Sequence, residues 1–172
     1  MIRVAAEGAR KAGAEVTLID LKDYPLPLMD EDLEAAEGLP ENAKKIKQLM
    51  VEHDGFLISA PEYNSSITPL LKNTIDWASR KASPTEPPLI AFKGKVVALM
   101  SASPGALGGL RGLVTARSIL GNIGVLVLPN QRAIAQAHQA FNPDGRLKEA
   151  KQQEEIFQLA KELVDTVRKL KG

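Results

Sequence analysis

The sequence predicts an α/β domain built as a doubly wound parallel sheet with helices on both faces. Three observations predict it. Short apolar runs at Phe56–Ser59, Lys95–Met100 and Gly124–Leu128 alternate with longer stretches whose apolar residues recur at helical spacing. The first two runs are continuously apolar rather than alternating, which fits strands covered on both faces. Both also empty into polar loops that lead straight into helices, and in such sheets ligands bind at the carboxyl ends of strands.

The chain opens on I-R-V-A-A-E-G-A-R-K-A, alanine-rich and helical from Met1 to Ala12, with Gly13 placed to end it in a left-handed cap. Glu15–Ile19 reads as a strand. Asp20 to Leu39 carries Pro25, Pro27, Asp30, Asp32 and Gly38, and is expected to be a surface excursion with no helix beyond one turn. From Pro40, Ile46, Leu49 and Met50 recur at helical spacing until Asp54-Gly55 stops the helix, and His53 takes a solvated position at its end. After the Phe56–Ser59 strand, Thr68 can cap a helix with Pro69 at its first position and Leu70, Leu71, Ile75 and Trp77 available to pack inward. Ala82–Pro88 is a stiff proline loop. Beyond the next strand, Leu110, Leu113, Val114 and Leu120 mark a helix face that Gly121 is placed to end. Pro129 ends the Gly124–Leu128 strand. Asn130–Gly145 is expected to be irregular, with a turn at Asn142-Pro143-Asp144-Gly145. A last amphipathic helix runs from Leu147 to Leu170, its buried stripe being Ile156, Leu159, Leu163, Val167 and Leu170.

With 172 residues, 44% hydrophobic and 25% charged, the chain suffices for one domain with a real core, spanning 1–172. A net charge of +1, with Lys and Arg spread along predicted helices, points to neither nucleic acid nor an anionic membrane as partner. There is no cysteine, so disulfides, thiolate metal sites and a cysteine nucleophile are excluded, and any redox chemistry must come from a cofactor. His53 and His138 show no ligand spacing, and no metal site is expected. With no signal-like start and no membrane-length apolar run, the expected compartment is the cytoplasm. A serine hydrolase is disfavoured because no G-x-S-x-G elbow is present.

Two loops remain as the candidate site. Pro61, Glu62, Tyr63, Asn64, Ser65 and Ser66 follow the first continuous strand, with backbone amides able to face a flat ligand and Tyr63 supplying an aromatic face. Ser101 to Gly109 follow the second, and their glycines allow close backbone approach. Taken alone, either loop could equally be a joint whose polar residues satisfy turn amides. The run P-E-Y-N-S-S-I-T-P-L-L-K-N-T-I-D-W, however, resembles the NADPH-dependent FMN reductase family, which carries P-E-Y-N-x-S followed by P-x-x-L-K-N-x-I-D-W. The second loop, S-x-G-x-x-G-G-x-R from Ser103 to Arg111, resembles the same family.

That resemblance implies a flavodoxin-like fold, FMN as cofactor, and NADPH or NADH as electron donor. It implies flavin contacts from Pro61, Glu62, Tyr63 and Asn64 and from Ser103, Gly105, Gly108 and Gly109, with Arg111 open to packing or a subunit contact. The expected activity passes hydride from nicotinamide to FMN and on to free flavin, a quinone or another small-molecule electron acceptor. No catalytic acid, base or nucleophile is required, since the flavin carries the chemistry. The resemblance also implies a homodimer or homotetramer. The family begins with a strand and a G-S-x-R-x-x-S-x-N loop that holds the FMN phosphate; both are absent here, so either natural residues precede Met1, the favoured expectation, or the chain is a truncated relative. The absent phosphate loop keeps open a second reading, a non-catalytic flavin-binding or scaffold protein of the same fold.

Overall fold

Apolar strands need cover on each side, and the computed structural model, which describes residues 1–172, buries the central strand fully but leaves the Gly55–Ser59 strand, at the sheet edge, half-buried. Three parallel strands, β1 (Gly55–Ser59), β4 (Val96–Ala102) and β5 (Leu126–Ile134), pair in the order β1-β4-β5. Successive side chains of β4 point to opposite faces. Val97 and Leu99 pack with Leu71, Ile75, Leu113 and Leu120 of α4 (Pro69–Ser79) and α5 (Leu110–Asn122). Val96, Ala98 and Met100 pack with Val4, Ile156, Leu159 and Leu163 of α1 (Ile2–Lys11) and α7 (Ala150–Lys171). Each fully buried Val, Leu, Ile or Met side chain among them contributes about 1.5–3 kcal/mol, so this central strand anchors both layers.

Several elements form for the reasons visible in the sequence. Gly13, at φ +84°, closes α1 with paired bonds from its own N–H to Arg10 and from the Ala14 N–H to Ala9. The Thr68 hydroxyl accepts from the Leu71 N–H at 3.2 Å and caps α4. The continuous β1 and β4 pair residue for residue, from Gly55 opposite Val96 to Ser59 opposite Met100.

Other expectations are corrected. Glu15–Ile19 joins no sheet: β1 pairs with β4 alone, and the segment meets the core through Ala14 and Val16 rather than through backbone bonds. The 20–39 excursion contains a 3-10 turn and a seven-residue helix, α2 (Glu31–Glu37), more than the one turn expected. Two amides donate to the Asp30 carboxylate, three acids favour the first turn, and Leu33 packs beside Trp77, so capping and a tertiary contact offset sparse periodicity. α5 passes through Gly121 to Asn122, and Gly124 at φ +87° turns the chain instead. β5 continues through Pro129 to Ile134, because the register jumps from Val97 opposite Val127 to Leu99 opposite Gln131. Pro129 falls inside that bulge on an edge strand, where its missing N–H breaks no ladder bond. A short α6 (Ala137–Ala140) interrupts the stretch expected to be irregular, while α7 starts later than expected, at Ala150. Leu70, Leu110, Val114 and Leu170, all assigned inward, are 41%, 40%, 61% and 61% exposed. His53 is half-buried, its ring bonded to the Leu49 carbonyl and the Thr17 hydroxyl.

α3 (Glu41–Glu52) and α4 hold the excursion down. The Asn73 side chain accepts from the Met29 N–H at 2.8 Å and donates to the Pro27 carbonyl at 2.9 Å, which also receives the buried Trp77 indole N–H at 2.8 Å. Asn73→Ala is therefore expected to cost about 1–3 kcal/mol, the penalty for orphaning these polar groups. Urea denaturation and limited proteolysis check it, with first cleavage near residues 25–29.

Candidate functional site

Parallel pairing of β1 with β4 brings the two candidate loops side by side, since both leave the sheet at its carboxyl edge. After Pro61 the chain forms a hairpin, β2 (Glu62–Tyr63) against β3 (Ser66–Ile67). Its two-residue turn, Asn64 at φ 50° and Ser65 at φ 68°, has the mirror-image geometry that matches strand twist. Asparagine tolerates this backbone region, whereas serine is strained there. Tyr63 is 61% exposed and offers its ring at the surface.

The second loop is anchored at one end. The Ser103 N–H donates to the Ile134 carbonyl at 3.1 Å, and its own carbonyl accepts from the Ala137 N–H at 3.0 Å. Its hydroxyl faces the Gly105 N–H at 3.4 Å. The loop's glycines divide into two groups. A Cβ on Gly105 would meet only the Ser103 hydroxyl, at 3.8 Å. A Cβ on Gly108 would meet the Ala133–Ala135 backbone at 2.7–2.9 Å, and one on Gly109 would lie 2.0 Å from the Ser101 hydroxyl. Gly108 and Gly109 are buried with φ of 62° and 90°, so packing and backbone angle already require glycine at both positions.

The Glu62 side chain turns away from the open edge and is 9% exposed. One carboxylate oxygen accepts from the Gly112 N–H at 2.9 Å, the other from the Arg111 guanidinium at 3.0 Å. The Gly112 amide above all, with the arginine, outweighs desolvation and holds this carboxyl below its ordinary range. The tie is complete at neutral pH and is lost only as pH falls through that depressed value. What the loops then present outward is a set of donors: the N–H groups of Asn64, Ser65, Ala106 and Leu107 have no backbone acceptor. Ala106 and Leu107 escaped the sequence reading, because nothing in their side chains signals a free amide. His138 is exposed on α6. A surface groove of about 520 Å³ between Tyr24, Lys44, Lys45, Gln48 and Leu49 shares no residue with either loop.

Such an edge, with donors, an aromatic face and its Glu62 carboxylate already paired, suits a planar, heteroatom-rimmed cofactor. The model of a family described as NADPH-dependent FMN reductase matches residues 1–139, including both loops and the hairpin. The chain belongs to that family. Among proteins similar to the reductase is an NAD(P)H-dependent FMN reductase of Pseudomonas aeruginosa, 35% identical over 97% of this chain and 86% of that one. A quinone reductase of Escherichia coli is 36% identical over 60% of this chain and 52% of that one. The solved structure of FerB, a flavoenzyme NAD(P)H:(acceptor) oxidoreductase from Paracoccus denitrificans, superposes with a TM-score of 0.79 at 28% identity, covering 98% and 87% of the two chains. The reductase has the flavodoxin-like fold of these flavoproteins and uses FMN and NAD(P)H.

The residues at the sheet edge fit the flavin ring. Gly105 leaves its outward side open, the free amides can donate to the ring's heteroatoms, and Tyr63 supplies a face. The start of α5 does not fit the phosphate, because Glu62 already occupies its Gly112 amide and places a negative charge there.

Proposed function

We propose that this reductase takes hydride from NADPH or NADH onto FMN held between the hairpin and the Ser103–Gly109 loop, and delivers the electrons to free flavin, a quinone or another small acceptor. The observation that carries this reading is the meeting of the two loops at the ends of adjacent parallel strands, joined through Glu62. Bound FMN supplies hydride acceptance and onward electron transfer. Pro61, Tyr63, Asn64, Ser103 and Gly105 line the ring, with Asn64 and Ser65 amides aimed at its polar edge. Gly108 serves by letting the loop seat on the end of β5, and Gly109 by letting it seat on Ser101 of β4. Donors fixed in place before reduction stabilise negative charge on the ring without reorganising. The quinone named in the Escherichia coli relative is the acceptor class to try first.

We also propose a homodimer or homotetramer in the cytoplasm. Leu107, Leu110 and Val114 form an exposed apolar stripe leading along α5 from the second loop, and no helix is long and apolar enough to cross a membrane.

The test is NADPH and NADH oxidation by the purified protein with FMN, followed with free flavin, quinone or neither as acceptor. Nucleotide consumption that depends on protein and rises with acceptor is expected. A folded protein that binds FMN but oxidises neither nucleotide above the enzyme-free rate would instead support a binding or scaffold role.

A further inference from the structure

We infer that Glu62 is a positioning residue that locks the hairpin to the start of α5 and thereby sets how the Tyr63–Ser65 segment meets the flavin. The inference rests on the flavin-site reading above. A hairpin with two residues per strand does not hold its own shape in water, so its orientation must come from outside. α5 has the complementary need. Its N-cap is Gly109, in a left-handed conformation with no capping side chain, which leaves early helix amides to be satisfied from elsewhere. Glu62 meets both needs at once, accepting from the Gly112 amide and from Arg111.

The surrounding glycines are shaped to this contact. A Cβ on Gly112 would lie 3.1 Å from the Ser66 carbonyl and 3.4 Å from the Glu62 Cβ, and one on Gly109 would lie 3.5 Å from the same Cβ. Glycine at both positions lets the hairpin settle against the helix start from β2 and β3 together. Arg111 is the charged group facing Glu62 from α5, while Ser66 of β3 and Ser101 of β4 do not titrate. With its charge paired and its side chain turned inward, Glu62 adds little repulsion to a ring that becomes anionic on reduction. A carboxylate here is thus a brace rather than an acid or base.

Glu62→Ala and Glu62→Gln test this by FMN affinity, by the midpoint potential of the FMN that stays bound, and by the pH profile of binding. Alanine is expected to weaken FMN binding by about tenfold or more and to move the bound potential toward that of free FMN. Glutamine, which can still accept from the Gly112 amide, recovers most of the affinity. Wild-type affinity falls at acid pH as Glu62 protonates, and Glu62→Gln lacks that acid limb. A purely structural residue would lower the folded fraction and leave the potential of bound FMN unchanged. If wild type binds FMN and the alanine variant matches it in affinity and potential, the brace is refuted and the flavin site stands. If wild type binds no FMN, both fall. Should Glu62→Ala fail to fold, the glutamine variant decides: retention of the wild-type acid limb overturns the inference.

Discussion

Alanine at Gly109 lowers unfolding stability by about 2–5 kcal/mol, the sum of about 1–2 for a left-handed backbone on a residue with a Cβ and about 1–3 for overpacking. The new methyl would stand 2.0 Å from the Ser101 hydroxyl oxygen and 2.8 Å from its Cβ, and Ser101 is fully buried, so neither side can yield cheaply. Valine at Gly105, four residues earlier, has the opposite signature. Its φ lies outside the left-handed region, and the first atom a Cβ would meet is 3.8 Å away. The denaturant midpoint therefore stays near wild type while FMN affinity falls, because the branched side chain enters the space proposed for the ring. Midpoint and FMN titration on the same preparations separate the two. Equal losses of folding and binding at Gly105 would make that loop a structural turn.

FMN and riboflavin bind this 172-residue chain with affinities within about tenfold of each other. They share the ring and differ in the phosphate, and the free amides of the two loops are the donors proposed for the ring. The start of α5, which follows the second loop, is filled by Glu62. Charge-assisted hydrogen bonds contribute about 1.5–3 kcal/mol each, so two bonds to phosphate would produce a preference of a hundredfold or more. Calorimetric titration of both ligands measures the difference directly. A hundredfold preference for FMN would reveal a phosphate site within these residues, and Arg3, exposed at the start of α1, would be the first to substitute.

Where the signal lies within one segment, the sequence carries it to the structure unaided. Phe56–Ser59 and Val96–Met100 are strands because both their faces are apolar, α4 starts where Thr68 caps it, and the loop motifs name the family before any coordinates. Residues whose role depends on what stands opposite them behave differently. Asn73 and Trp77 belong to a motif read beside the flavin loop, yet their side chains hold down the 27–29 segment. Gly105, Gly108 and Gly109 look alike in sequence, but only Gly105 faces open space. Glu62 reads as a loop carboxylate, and its partner is an amide 50 positions away. Glu15–Ile19 has strand composition and no strand beside it, while β5 crosses a proline because a bulge removes the need for its N–H. Propensity, capping and apolar period are properties of neighbours along the chain, so sequence alone determines them. Clearance, pairing and charge compensation are set between atoms that meet only after the sheet has assembled, and tertiary structure alone decides those.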